Sequence, residues 1–147
     1  MTVDVQTQID IDRPRADVAA WSVDPDNATR WYKNIKSVEW KTPPPLRVGS
    51  RLAFVARFLG GPLSYTYEVV EHVPGERFVM RTAEGPFAMQ TTYTWSDIAG
   101  GATHMTLRNR GEPSKFGKPA MWVIERAMRG ANRKDLERLK KILEREP

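Results

Sequence analysis

Between Ser50 and Gly111 apolar and polar residues alternate along successive short runs, whereas beyond "GEPSKFGKP" the apolar residues recur at helical intervals to the end of the chain. A period of two sets side chains on the two faces of a strand, and a period of 3.6 sets them along one stripe of a helix. The chain is therefore expected to build an antiparallel sheet and then close with one long helix. The run "FAMQTTYTW" shows the first pattern well: Phe87, Met89, Thr91, Tyr93 and Trp95 share one face. Leu52, Phe54, Ala56 and Phe58 do the same, as do Tyr65, Tyr67 and Val69, then Phe78, Met80 and Thr82, and finally Met105, Leu107 and Asn109. Turn sequences such as "GGP", "VPGE", "EGP" and "DIAGG" separate these runs, which suits hairpins of a meander.

The N-terminal run alternates as well, with Val3, Val5, Thr7, Ile9 and Ile11 opposed by acids and amides. Pro14 fits the first turn of a helix, Ala16 to Trp21 can make about two turns, and "DPDN" offers a second start with Asp24 or Asp26 as cap. "IKSVEWK" returns to strand alternation before three consecutive prolines in "TPPPLRVGS" break it. Seven strands are expected in all. In the C-terminal segment Met121, Ile124, Met128, Ala131, Leu139 and Ile142 mark the stripe of a helix of about 28 residues, roughly 40 Å long, opened by Ser114 or Pro119. Gly130 inside it marks a bend or a close approach of another element.

Length and composition narrow the options. At 147 residues one domain over 1–147 is the economical reading. There is no cysteine, which rules out disulfides, thiolate metal sites and cysteine nucleophiles and fits a cytoplasmic location. "MTVDVQTQIDID" lacks the apolar stretch of a signal peptide or membrane span. His72 and His104, read as surface residues, have no metal-ligand spacing, so no metal and no cofactor is expected. The net charge of +5 is concentrated in Arg126–Lys141, where seven Lys or Arg face Asp135 and Glu137. A helix that grips a sheet needs a polar outer face, with i,i+4 pairing among these charges, so nucleic acid is not an expected partner.

The order of elements resembles the helix-grip fold of the SRPBCC superfamily, which includes START-like lipid-transfer domains and the polyketide cyclase/dehydrase group. "IDIDRPRADVAAW" is similar to its strand-to-helix opening, "DPDNATRW" to its second helix, "VVEHVPGERF" to its fourth-to-fifth hairpin, "GGATHMTL" to its last strand and "LERLKKILE" to its helix end; Gly49 matches the approach to the third strand. The resemblance implies an α+β fold: a curved seven-stranded antiparallel sheet wrapped on a long C-terminal helix, with two short helices after the first strand. It also implies a ligand cavity between sheet and helix. On that footing the candidate ligand-binding residues are Phe54, Phe58, Tyr65, Tyr67, Met80, Met89, Thr91, Tyr93, Leu107, Asn109, Trp122 and Met128.

That set is aromatic and Met-rich with sparse hydroxyls and one amide, the composition of a mostly apolar small-molecule pocket. No Asp, Glu, His, Lys or Arg falls on the inner parity in mid-strand, so no catalytic residue is assigned and binding of a small hydrophobic or aromatic molecule, as carrier, sensor or scaffold, leads over catalysis. The alternative is a cyclase- or dehydratase-like enzyme in which Tyr65, Tyr67, Tyr93 or Asn109 polarises a carbonyl. A third reading is a module for anionic surfaces or nucleic acid. "TPPPLRVG" and "GEPSKFGKPAMW" are expected to form rims on opposite sides of one mouth, with Trp122 close to it.

Overall fold

The computed structural model describes residues 3–58, 60–112 and 118–145, the side chains of 58 and 118–120 excepted. Strand β1 (Val3–Ile11) leads into α1 (Arg15–Val23), a 3-10 turn (Pro25–Asn27) and the single turn α2 (Ala28–Trp31). Strands β2 (Ile35–Trp40), β3 (Arg51–Phe58), β4 (Gly61–Val73), β5 (Arg77–Glu84), β6 (Met89–Ile98) and β7 (Ala102–Gly111) follow, and α3 (Lys118–Arg145) closes the chain. Pro14 stands at the start of α1, and Asp24 caps the 3-10 turn by accepting the Asp26 N–H at 2.9 Å. The expected second start signal is thus used, at Asp24.

All seven strands lie in one antiparallel sheet of order β1-β7-β6-β5-β4-β3-β2. Hairpins join β2 through β7 in sequence order, whereas β1 and β2, neighbours in the chain, occupy opposite edges. The segment from α1 to α2 spans that gap. The alternation in β1 is realised residue by residue: Val3, Val5, Thr7 and Ile11 are buried while Asp4, Gln6, Gln8 and Asp10 are exposed. Gly75, at φ +76° between β4 and β5, has the left-handed backbone that a tight turn requires.

Helix α3 is held at both ends. Met121 and Ile124 near its start pack with Val3 and Val5 of β1, while Leu136, Leu139 and Leu143 near its end belong to the main core with Ile11, Trp31, Met105 and Leu107. Each fully buried leucine contributes about 1.5–3 kcal/mol. Polar ties fix the C-terminal end further: Arg13 Nη1 donates to the Leu143 carbonyl at 2.7 Å, Glu144 accepts the Asp12 N–H at 2.9 Å, and Lys140 Nζ donates to the Asp10 carbonyl at 2.6 Å. Between the two anchors the helix spans the curved sheet without filling the space beneath it. The helix runs through exposed Gly130 unbroken, and a Cβ there would meet nothing within 4 Å, so no other element approaches it as the sequence suggested.

Candidate functional site

The space under the middle of α3 is a cavity of about 510 Å³. Its floor is the inner face of β3 to β7, and its roof is Ile124, Met128, Ala131, Asn132 and Asp135 of α3, with Tyr32 and Ile35 at one side. Of the residues expected to line it, Phe54, Tyr65, Tyr67, Met80, Met89, Thr91, Tyr93, Asn109 and Met128 do so. Leu107 does not. It is fully buried in the core one position pair deeper than Asn109, where α3 has closed onto the sheet. Trp122 is also absent from the lining: it is 63% exposed, and its ring lies 5.5 Å from the Arg126 guanidinium on the outer side of the helix. The side chain of Phe58 lies outside the described residues.

Aromatic rings form one wall of the cavity. Phe54 stacks on Tyr65 at 5.4 Å between centroids, Tyr65 meets Tyr67 at 4.9 Å, and Phe78 stacks on Tyr93 at 5.9 Å. Two hydrogen-bonding clusters interrupt this apolar surface. In the first, the Thr91 hydroxyl donates to Asn109 Oδ1 at 2.7 Å, and having one proton it must accept from the Tyr67 hydroxyl at 2.9 Å. Burial pushes the Tyr67 phenol up to about 12, with the Thr91 bond pulling the other way. In the second, the hydroxyls of Tyr32 and Tyr93 are hydrogen-bonded to each other, and both phenols are raised above their ordinary value, chiefly by burial.

Asp135 completes the second cluster. It is 4% exposed, its Oδ1 accepts the Lys33 N–H at 3.1 Å, and burial pushes its carboxyl up to about 6 against the opposing pull of that hydrogen bond and of Arg138 and Lys33. One turn earlier, Asn132 is buried with its Nδ2 bonded to no described residue. The cavity therefore contains an ionisable group, contrary to the expectation drawn from strand parity alone. The signal was present in the sequence: Ile124, Met128, Ala131, Asp135 and Leu139 keep helical spacing, so Asp135 interrupts an apolar stripe. Asp135 does not lie on the outer face, as the charge pattern suggested, and it makes no ion pair among the described residues. Among the described residues the i,i+4 ion pair that α3 does form is Lys140 with Glu144, at 2.8 Å.

The exposed residues of the lining, Arg57, Pro62, Pro86 and Arg110, gather where β3, β5 and β7 end and β4 begins, so the mouth of the cavity lies at that end of the sheet. The expected rim at 42–49 is elsewhere: Pro44, Pro45 and Leu46 line a separate cavity beneath α1. Residues 113–117 of the other expected rim lie outside the described residues. His104, as expected of an outward-facing residue, pairs with Asp10 at 2.6 Å at the sheet surface. His72 is a correction, since it is partly buried rather than on the open surface. No described residues group into a metal-binding cluster of three or more His, Cys, Asp or Glu, and no helix among them is long and apolar enough to cross a membrane.

A curved antiparallel sheet gripping a long C-terminal helix around an internal cavity defines a helix-grip protein of the SRPBCC, START-like class. Residues 2–144 match the model of the family described as polyketide cyclase/dehydrase and lipid transport, and the chain belongs to that family. The fold is similar to that of TTHA0849 from Thermus thermophilus, with TM-score 0.84, 19% identity and 98% and 99% of the two chains covered. It is also similar to the Zhui aromatase/cyclase from Streptomyces sp. R1128, with TM-score 0.82, 13% identity and 99% and 95% covered. A START superfamily protein from Mycobacterium smegmatis gives TM-score 0.81 at 12% identity, with 97% of each chain covered. No curated protein matches the sequence.

Proposed function

We propose that this chain, acting as one cytoplasmic domain over 1–147, binds a neutral, mostly apolar small molecule that carries oxygen functions at two separated points. The observation that carries this reading is the pair of polar clusters in an otherwise apolar cavity of about 510 Å³. Thr91 and Tyr93 are two residues apart on the inner face of β6, so their Cα atoms lie about 7 Å apart and the two clusters stand side by side along the strand. Two polar points set apart in this way suit oxygens at separate ends of a fused bicyclic aromatic. Such a ligand can bond to Asn109 and Thr91 at one end and to Tyr93, Tyr32 and Asn132 at the other, while Phe54, Met80 and Met128 cover its faces. A buried ligand anion is disfavoured, because Asp135 would stand beside it as a second negative charge above about pH 6.

Calorimetric titration with 2,6-dihydroxynaphthalene and with 2-naphthol tests this. The diol should bind about tenfold more tightly, as one additional hydrogen bond supplies, and Tyr93→Phe should erase most of that difference while leaving 2-naphthol affinity nearly unchanged. Equal affinities for the two probes, or no binding of either, would overturn the proposal.

Asp135 favours a second reading. A carboxyl poised near pH 6 beside two tyrosine hydroxyls can take a proton from an acidic C–H or give one to a departing hydroxyl, the chemistry of a cyclase or dehydratase. The aromatase/cyclase of similar fold lends analogy to that reading. It requires a turnover rate whose pH profile has a limb near 6 that disappears in Asp135→Asn; binding with no turnover leaves the carrier reading in place.

A further inference from the structure

The second cavity, of about 560 Å³, lies at the opposite end of the sheet from the mouth just described, between α1, the 42–49 loop and the β4–β5 turn. We propose that it is a binding site for a neutral planar aromatic molecule carrying a hydrogen-bond acceptor. Two indoles and several prolines form its walls: Trp40 and Trp95 with Pro25, Pro44, Pro45 and Pro74. Flat, rigid surfaces of this kind select a flat ligand at little cost in side-chain entropy.

A β-bulge builds the polar part of the site. Val69 pairs with Met80, but the register then shifts so that Glu71 pairs with Val79 and His72 with Phe78. Without the extra residue, strict alternation after Tyr65, Tyr67 and Val69 would send His72 to the outer face; with it, His72 shares the inner side with Phe78, its ring edge-on at 5.3 Å. Bulges commonly re-aim one side chain in this way near sites of function. Burial holds the His72 imidazole below its ordinary value, hence neutral near pH 7, and among the described residues neither of its nitrogens is hydrogen-bonded. The neutral ring has one N–H to offer and one lone pair.

That imidazole N–H is the donor the site offers. Trp95 is 5% exposed and gives the site its ring, since its indole N–H is enclosed by protein atoms. The Trp40 indole is satisfied by Asp26 at 2.9 Å, and the Asp24 carboxylate by the Asp26 N–H. The two carboxylates make this rim acidic and exclude anionic ligands such as fatty acids. Val23, Asp24 and Pro25 also line the first cavity, so that segment borders both sites.

The test is a coumarin titration of nitrogen-15-labelled protein, read at the tryptophan indole N–H signals, with Trp95→Phe used to assign Trp95. Coumarin is neutral and flat and carries a lactone carbonyl. The Trp95 and Trp40 signals are both expected to move as the coumarin ring seats against the two indoles, and both are expected to saturate along one isotherm. Ala20→Trp, at an exposed helix position lining this cavity, should abolish both shifts while the methyl signals of Met80 and Met128 in the first cavity respond as before. The proposal falls if the Trp40 and Trp95 signals stay fixed at saturating coumarin, or if Ala20→Trp leaves their shifts unchanged. A response at Met80 and Met128 alone would sink this second site and leave the first intact.

Discussion

Asp135→Asn should make the protein more stable, and the gain should depend on pH in a way that only a buried carboxyl can produce. An aspartate in the unfolded chain titrates near 3.8, whereas burial under α3 raises Asp135 to about 6. Between those values the folded state binds more protons than the unfolded chain, so stability falls as pH rises through that window and stays lowered above it. At 1.36 kcal/mol per pH unit, the gap between 3.8 and about 6 is worth about 3 kcal/mol. Asparagine is close in shape and keeps an oxygen to accept the Lys33 N–H, so the hydrogen bond that ties the approach to β2 to the helix survives. Urea unfolding of both proteins at pH 4 and pH 8 should therefore show nearly equal stabilities at pH 4 and an advantage of up to about 3 kcal/mol for the variant at pH 8. In thermal melts the same difference is roughly 6–12 °C for a chain of this size. Parallel stability profiles for the two proteins across that range would refute the burial argument, and with it the acid–base reading of the cavity.

Two further outcomes follow from the helix. Gly130→Ala should raise unfolding free energy by about 0.8–1 kcal/mol, since the position is helical, exposed and open to a Cβ; a loss of stability would show a contact at that position. Trp122→Ala should change stability by no more than about 0.5 kcal/mol and leave 2,6-dihydroxynaphthalene affinity unaltered, because the ring lies largely in solvent and outside the cavity. A tenfold loss of affinity would place Trp122 at the ligand after all.

Much of the fold was legible from periodicity. Alternation along β1 and β7 reports which side of the strand is buried, because successive side chains on a strand point to opposite faces whatever lies beyond them, whereas in β5 and β6 Val79 and Thr92 of the other parity are buried as well. The same local geometry made α3 readable as one helix with one apolar stripe, and Thr91, Tyr93 and Asn109 readable as inward-facing. Periodicity names a face, however, and not what lies opposite it. Leu107 and Asn109 share one face of β7, yet Leu107 is sealed in the core and Asn109 borders the cavity, a difference set by where α3 meets the sheet and where it stands clear. His72 changed sides because one residue bulges out of β4, a shift that side-chain alternation cannot register. Asp135 sits on the apolar stripe like its neighbours at 131 and 139, and its chemistry depends on the two anchors that hold the helix away from the sheet. Strand, helix and buried face are decided by neighbours in the chain, and these the amino-acid sequence determined; the gap between sheet and helix, and thus which buried residues meet a ligand and which meet one another, arises from contacts among residues a hundred or more positions apart and was decided only by the tertiary structure.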